Sequence, residues 1–187
     1  LLRNIKHRFN RLAVSKRRSA KKCLGFSFAD LAFGGAQVFY VDLIERLAQK
    51  GHKIKYHLFA HEADPTLCDT GLYWRINESA EKASLDELIH CGIIHLDGYH
   101  NPEQKKVFLP VWEKCIETYH SEYSFKMSSP THAPHRVVIS AALKKALPLE
   151  CALVYYGIDT ELFKPDGGTK EYDVGIVGRI HPAKNHL

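Results

Sequence analysis

Hydrophobic positions near the start of the chain repeat first with the period of a strand, then of a helix, then of a strand again. The helical segment places Phe39, Leu43 and Leu47 on one stripe, because residues three to four positions apart share a helix face. The three elements are predicted at residues 22–30, 36–50 and 53–60. A strand, a helix and a strand in this order form a β-α-β unit, which implies a parallel sheet with a right-handed crossover.

The same alternation of short apolar runs and helical stretches continues along the rest of the chain. Further strands are predicted at residues 93–96, 114–119, 137–140, 152–155 and 173–177. Further helices are predicted at residues 84–89, 102–111 and 141–146. Residues 61–83 show no clear pattern, and residues 121–135 predict a polar loop. Alternating strands and helices are typical of the α/β class, so we expect a Rossmann-like, doubly wound parallel sheet.

The first 22 residues differ in composition from the rest and predict a separate basic arm, residues 1–22. They hold nine Lys and Arg side chains and no acid, whereas the whole chain has 26 basic and 21 acidic residues. Four apolar residues of the arm fall on one helical face, namely Leu1, Ile5, Phe9 and Leu12. A basic amphipathic helix is typical of a membrane-surface segment, and a solvated arm without structure is the alternative. Because the excess positive charge is confined to the arm, it does not imply a nucleic-acid-binding domain.

Cysteine and histidine usage indicates neither a disulfide framework nor a metal site. The five cysteines are odd in number and form no C-x-x-C motif, so we expect small core residues in a reducing compartment. They are Cys23, Cys68, Cys91, Cys115 and Cys151. The 12 histidines include close pairs, but no acidic or cysteine residues join them at the spacing of a metal site. The chain also lacks a stretch of ~20 apolar residues and the apolar core of a secretory signal, so we expect a cytoplasmic protein.

Three segments carry residues that can bind a phosphate or a sugar. Gly34 and Gly35 lie between the first strand and its helix, where small residues and free N–H groups favour an anion. Arg179 and Lys184 share one loop after the last predicted strand, so their charges can converge on a leaving diphosphate. His120 ends a predicted strand, and the carboxyl ends of parallel strands face ligand crevices. The alternatives are a tight turn, two solvated cations and a structural histidine.

A series of segments, taken in their order along the chain, resembles the "group one" or family four glycosyltransferases of the GT-B fold. The segments are Gly34-Gly35-Ala36-Gln37 with the helix end Leu47 to His52, Ile93 to Leu96, Thr118-Tyr119-His120, Arg136 to Lys144, Val154 to Phe163, and Val177 to Lys184. The most specific part is Gly157-Ile158-Asp159 with Phe163, followed by Val177-Gly178-Arg179. The resemblance covers residues 23–187.

The resemblance implies two Rossmann-like domains that face each other across a cleft. Residues 23–165 would form the N-terminal, acceptor-side domain. Residues 170–187 would be the start of the C-terminal, donor-side domain, which is truncated in this chain.

The resemblance also assigns roles to the three segments with chemistry. Arg179 and Lys184 would hold the diphosphate of the donor, and His120 would lie at the reacting sugar as the catalytic residue. Gly34 and Gly35 would line the cleft near the phosphates or the acceptor. No residue would bind a metal, because the family does not depend on one.

The function implied is transfer of a hexose from a nucleotide-sugar to a glycan or lipid-linked acceptor, in the synthesis of cell-envelope polysaccharide or glycolipid. The family retains the anomeric configuration by front-face displacement, not by the two-carboxylate scheme of retaining glycosidases. It needs no cofactor besides the donor substrate. We expect no nucleic-acid partner, and a peripheral position on the inner face of a membrane through residues 1–22.

The sequence departs from the family pattern in two places. Tyr156 stands where the family usually has Asn before the Gly-Ile-Asp run. The family's paired glutamates, which contact the donor sugar and ribose, do not occur before Leu187, so we expect an inactive fragment of a longer enzyme. Two other functions stay open: a non-catalytic nucleotide- or phosphate-binding α/β domain that uses Gly34 and Gly35, and an interaction module that acts through the basic arm.

Overall fold

A computed structural model describes residues 23–32, 34–59 and 68–158, together with the single positions Thr160, Lys164 and Gly167. The basic arm and residues 170–187, which include Arg179 and Lys184, lie outside the described residues. The chain divides into two compact units between Tyr156 and Gly157. The predicted limits of the two domains stay predictions, since most of the second unit is not described.

Strands and helices alternate along the described part of the first unit. The strands are β1 (Leu24–Phe28), β2 (Ile54–Leu58), β3 (Glu81–Lys82), β4 (Ile93–Asp97), β5 (Cys115–Tyr119), β6 (His135–Val138) and β7 (Ala152–Leu153). The α-helices are α1 (Gly35–Gln49), α2 (Thr70–Ser79), α3 (Leu85–Leu88), α4 (Pro102–Lys105), α5 (Glu122–Ser128) and α6 (Ala141–Ala146). A 3₁₀ helix, Lys106–Lys114, connects α4 to β5.

All seven strands form one parallel sheet in the order β3-β2-β1-β4-β5-β6-β7. The sheet grows in one direction from β1 to β3 and in the other direction from β4 to β7. The order of the strands therefore reverses between β1 and β4, which is the hallmark of a doubly wound sheet. The predicted α/β class and the Rossmann-like parallel sheet are confirmed.

Apolar layers cover both faces of the sheet, because successive side chains of a strand point to opposite sides. Phe26 and Phe28 of β1 pack in a core cluster with Tyr40, Val41 and Ile44 of α1. A second cluster contains Leu88, Cys91, Ile94, Leu96, Phe108 and Cys115. The central strands are buried on both faces, and their polar residues, such as Ser27 of β1 and Glu117 of β5, are buried as well.

Helix α2 lies in the segment that showed no pattern in the sequence. The carboxylate of its N-cap residue, Asp69, accepts a hydrogen bond from the backbone N–H of Leu72 at 2.9 Å. The helix buries only Leu72 and Ile76. Two buried positions in ten residues are too few to produce a clear helical period.

The polar loop predicted at residues 121–135 is wrong over its first half, which forms α5. The side chain of Ser121 accepts a hydrogen bond from the N–H of Ser124 at 3.1 Å, and the Ser124 hydroxyl lies 3.1 Å from the N–H of Ser121. This is a capping box in which serine replaces the usual Glu or Gln. The capping box was not predicted from the sequence, because its third helical residue, Ser124, is neither Glu nor Gln.

The helix predicted at residues 102–111 is only partly correct. It begins at Pro102 after the N-cap Asn101, but it changes to a 3₁₀ helix at Lys106. Pro110 explains the change, because its ring clashes with the preceding turn of an α-helix and it has no N–H to donate.

A fully buried ion pair joins α4 to β5. Lys105 Nζ contacts the carboxylate of Glu117, and both side chains are 0% exposed. Lys105 also donates to the carbonyl of Thr131 at 2.9 Å. Glu117 accepts further hydrogen bonds from Tyr119 Oη, Ser128 Oγ and Ala133 N. Because these donors and acceptors satisfy one another, the cluster stabilises the segment between α5 and β6.

No helix in the described ranges is both long and apolar enough to cross a membrane.

Candidate functional site

The candidate site lies at the carboxyl edge of the sheet, where β1, β4 and β5 are neighbours. Asp97 is the last residue of β4, and His120 follows the last residue of β5. Gly34, the N-cap of α1, and Gly35, its first residue, lie at the same edge. In doubly wound sheets a ligand crevice forms where the strand order reverses, here between β1 and β4.

Asp97 holds the loops at this edge together. Its carboxylate accepts hydrogen bonds from the backbone N–H of Ala29 and of Tyr99, both at 3.0 Å. His100 Nδ1 lies 2.9 Å from the same carboxylate, and His100 Nε2 lies 2.9 Å from the hydroxyl of Ser27 in β1. Asp97 and His100 are buried, so these bonds connect the end of β1 to the end of β4 in a region of low dielectric.

The loop between β1 and α1 is organised by Asp30. Its carboxylate accepts from the N–H of Ala32 at 3.1 Å and from Gln37 Nε2 at 3.2 Å. Burial raises the pKa of Asp30, the hydrogen bond from Ala32 opposes the rise, and the nearby charge of Asp97 adds to it. Two carboxylates, the partly buried Asp30 and the buried Asp97, therefore lie close to the strand reversal.

The two glycines of this loop leave the beginning of α1 open. Gly34 is the N-cap and has an extended backbone that any residue can adopt. A Cβ at Gly34 would lie 2.8 Å from Oε1 of Gln37, so this glycine makes room for the contact between Gln37 and Asp30. A Cβ at Gly35 would meet nothing within 4 Å. Packing does not explain the second glycine, whose position leaves space for a ligand to approach the helix N-terminus.

His120 is connected to α1 through Tyr40. The Tyr40 hydroxyl lies 2.6 Å from His120 Nε2, and the two rings meet edge to face with their centroids 5.2 Å apart. The backbone N–H of His120 donates to Ser124 Oγ at 3.0 Å. The histidine is thus held both by the helix that begins at Gly35 and by the start of α5.

Two further aromatic rings surround His120. The Tyr156 hydroxyl is hydrogen-bonded to His120 Nδ1, and the Tyr156 ring stacks on Phe39 with a centroid distance of 4.1 Å. The Tyr99 ring lies parallel to the imidazole, with the centroids 6.0 Å apart. The half-buried imidazole therefore sits among three phenols.

His95 and His120 are uncharged at neutral pH, because the pKa of each is lowered. Burial lowers the pKa of His120 to about 4, with a smaller opposing effect from Asp97. Burial, reinforced by the neighbouring His120, lowers the pKa of His95 to about 4 as well. His95 Nε2 lies 2.9 Å from Thr118 Oγ1. Neutral imidazoles and hydroxyl groups form hydrogen bonds but supply no positive charge to a ligand.

The structure places His120 and the Gly34–Gly35 loop at one edge of the sheet and links them through Tyr40. Arg179 and Lys184 lie outside the described residues, so their roles stay predictions.

The sequence predicted no role at this edge for Tyr40, Asp97, Tyr99 or Tyr156, and Tyr156 stood out only as a departure from the family pattern. Asp97 could have been found, because it directly follows a predicted strand and the carboxyl ends of parallel strands meet at one edge. No sequence pattern predicts the tyrosines at this edge. Tyr40, for example, lies within an amphipathic helix like its neighbours. Among the described residues, no group of three or more His, Cys, Asp or Glu side chains is arranged to hold a metal ion.

Comparison of the chain with models of known protein families finds no match, and comparison with curated proteins finds no similar sequence.

Proposed function

We propose that this chain is the acceptor-side domain, with the beginning of the donor-side domain, of a retaining GT-B glycosyltransferase. The observation that carries the proposal is the position of His120. It is a neutral histidine at the carboxyl edge of the strands, bonded through Tyr40 to the helix that begins at Gly35. Its location after β5, the strand next to the reversal between β1 and β4, and the ordered motif series both support this reading.

The chemistry of the crevice suits the hydroxyl groups of a sugar. An uncharged imidazole can donate to or accept from a hydroxyl group. Asp30 and Asp97 make the described side of the crevice unfavourable for a diphosphate, because like charges repel. In the proposed enzyme, Arg179 and Lys184 bind the diphosphate instead. This division of roles disfavours a phosphate-binding domain that relies on Gly34 and Gly35 alone.

The proposed reaction transfers a hexose from a nucleotide-sugar to a glycan or lipid-linked acceptor. The bond between the anomeric carbon and the diphosphate oxygen breaks, and the acceptor oxygen bonds to the same face of the sugar. The proton of the acceptor hydroxyl passes to the departing diphosphate. Arg179 and Lys184 stabilise the charge that grows on the leaving oxygens, which is larger in the transition state than in the ground state.

The basic arm would hold such an enzyme at the inner face of a membrane, close to a lipid-linked acceptor of the cell envelope. Each Lys or Arg contributes about 1 kcal/mol near an acidic surface, so nine of them favour anionic lipid strongly. Cosedimentation with anionic vesicles that weakens with salt is the expected result. Equal binding to neutral vesicles, or binding to duplex DNA instead, would contradict this placement.

A screen of nucleotide-sugars with the full-length protein that contains this chain tests the proposed function. We expect release of the nucleotide diphosphate from one donor, and a kcat about 10²-fold lower for His120→Ala, Arg179→Ala and Lys184→Ala. His90→Ala is the matched control, because His90 is exposed and precedes the amino end of β4, whereas His120 lies at the carboxyl edge of the sheet. Arg179→Ala and Lys184→Ala should change the free energy of unfolding by only about 0.5 kcal/mol.

Two results would reject the proposal. One is tight binding of nucleotides without turnover of any donor, which is the behaviour of a non-catalytic nucleotide-binding domain. The other is an unchanged kcat and donor KM in all three variants, which would leave the predicted residues outside the site.

A further inference from the structure

Both ring nitrogens of His120 are occupied by tyrosine hydroxyls. Tyr40 Oη lies 2.6 Å from Nε2, and Tyr156 Oη is hydrogen-bonded to Nδ1. A neutral imidazole has one N–H and one lone pair, so in either tautomer one tyrosine donates and the other accepts. The ring therefore has no nitrogen left for a ligand in this state.

The two tyrosines differ in their freedom to leave the histidine. Tyr40 is 1% exposed, and its ring contacts Phe28 and His95 with centroid distances of 5.5 and 5.0 Å. Its displacement would require α1 to separate from the sheet. Tyr156 is half-buried and follows β7 in an irregular segment, where the described contacts of its side chain are with Phe39 and His120. Only the Tyr156 side can open without disruption of the core.

We propose that Tyr156 is a positioning residue that covers the Nδ1 side of His120 and is displaced by a hydroxyl-bearing ligand. A sugar hydroxyl offers the same donor and acceptor as the phenol, so it can replace Tyr156 without leaving the imidazole unsatisfied. The identity of this ligand as the donor hexose rests on the proposed function. The proposal that Tyr156 covers Nδ1 does not rest on the proposed function, because it follows from contacts within this chain.

Because Tyr156 occupies Nδ1 of His120, it should weaken the binding of the ligand by a measurable factor. The ligand binds only the uncovered state, so its apparent dissociation constant is raised by the inverse of the uncovered fraction. When that state is a minor one, populated at about 10% or less, removal of the phenol hydroxyl should tighten binding about tenfold or more. Tyr156→Phe removes this hydroxyl and keeps the ring that stacks on Phe39.

Carbethoxylation by diethyl pyrocarbonate tests the cover without reference to any activity, because the reagent attacks a free imidazole nitrogen. The modification rate of each histidine is followed by peptide mass spectrometry in the full chain. We expect the His120 rate to rise about tenfold in Tyr156→Phe. His90 is exposed and should react at the same rate in every variant, which provides an internal standard.

Tyr40→Phe is the matched control on the other nitrogen. It also removes one phenol hydroxyl from His120, but it frees a nitrogen that faces the buried side of α1. We expect the His120 rate to change less than about twofold, because the reagent cannot reach that side. Melting temperatures of both variants are measured, and Tyr156→Leu replaces Tyr156→Phe if the latter does not fold.

The outcomes separate this inference from the proposed function. An unchanged His120 rate in Tyr156→Phe overturns the inference, whether or not the protein turns over nucleotide-sugars. A faster rate in a protein without turnover supports the cover on Nδ1 and rejects the glycosyltransferase. Where turnover exists, Tyr156→Phe should lower the donor KM about tenfold and change kcat less. A donor KM that rises or stays constant would show that the displacing ligand is not the donor.

Discussion

Lys105 and Glu117 form an ion pair that has lost all contact with water, which is an expensive arrangement for two charges. Burial lowers the pKa of Lys105, while the neighbouring Glu117 opposes the effect. The pair is tolerable because backbone groups of Thr131 and Ala133, together with the hydroxyls of Ser128 and Tyr119, complete its hydrogen bonds. Its position on the face opposite α1 indicates a structural role rather than a part in the chemistry at His120.

Removal of the Lys105 charge should therefore destabilise the protein strongly. Lys105→Met leaves Glu117 buried without its partner, and we expect the free energy of unfolding to fall by about 3–5 kcal/mol. Lys106→Met is the matched control, because Lys106 is exposed and pairs with Glu103 at the surface. This substitution should lower the free energy of unfolding by less than about 1 kcal/mol. Urea unfolding measures both variants.

A double variant completes this test. Lys105→Met combined with Glu117→Gln removes both charges, so it should be less destabilised than the sum of the single variants, with a coupling of about 1 kcal/mol or more. Equal effects of Lys105→Met and Lys106→Met would contradict a structural role for the buried pair.

At the scale of elements, the amino ends of β1 and β4 place two cysteines in contact. The Cys91 thiol lies 3.4 Å from the sulfur of Cys23, and the backbone N–H of Gly92 donates to the carbonyl of Cys23 at 2.9 Å. A Cβ at Gly25 would lie 3.2 Å from Cβ of Cys91, so the absence of a side chain at Gly25 makes room for this pair. The five cysteines are free thiols in the structure.

Oxidised glutathione should join Cys23 to Cys91. The two thiols lose two protons and two electrons and form one S–S bond, while the reagent is reduced to two glutathione thiols. Cys23 should attack first, because burial raises the pKa of the Cys91 thiol to about 12 and leaves little thiolate there. The cross-link closes a long loop and should raise the melting temperature by several degrees.

Peptide mapping under non-reducing conditions identifies the bond, and Cys91→Ser is the control that should show neither the cross-link nor the thermal shift. Mixed disulfides with glutathione on Cys68 or Cys151, without a bond between Cys23 and Cys91, would show that the two sulfurs cannot approach each other.

The helices that escaped prediction are held by tertiary contacts rather than by their own pattern. In α2, Arg75 donates to Asp42 at 2.6 Å and to Glu45 at 2.7 Å, which ties the helix to α1. A short helix gains little from its own hydrogen bonds, so such contacts and its cap determine whether it forms. Neither the ion pairs nor the cap produces a hydrophobic period from which the helix could be predicted in the sequence.

At the scale of the whole molecule, the half-buried His95 and His120 make folding sensitive to acid. The pKa values of His95 and His120 are lowered to about 4, whereas an unfolded histidine titrates near 6.5. Between these values the unfolded chain binds more protons than the folded one, so the free energy of unfolding decreases as the pH falls. The full contribution is present above about pH 6.5 and is lost as the pH approaches 4.

Stability measured between pH 7 and pH 4 tests this. Each of the two histidines should account for up to about 3 kcal/mol of the decrease, so the combined variant His95→Gln and His120→Gln should have a flatter profile. The surface variant His90→Gln should keep the profile of the unaltered protein. A steep decrease that persists in the combined variant would place the acid sensitivity in other groups.

The sequence by itself determined the α/β class, the parallel sheet and the order of most of its elements, although α2, β3 and α5 were not predicted. These follow from local periods and from the rule that β-α-β units cross over in one direction. It also singled out His120 and Gly34–Gly35, because residues after parallel strands must lie at one edge.

Only the tertiary structure decided which side chains meet there. Tyr40 and Tyr156 reach the same imidazole from positions 80 and 36 residues away along the chain. Asp97 reaches back 68 residues to Ala29. A local pattern indicates the face on which a residue lies, but the neighbours on that face depend on strand order and register, which come from packing of the whole sheet. That is why the surroundings of His120 could not be read from its own segment.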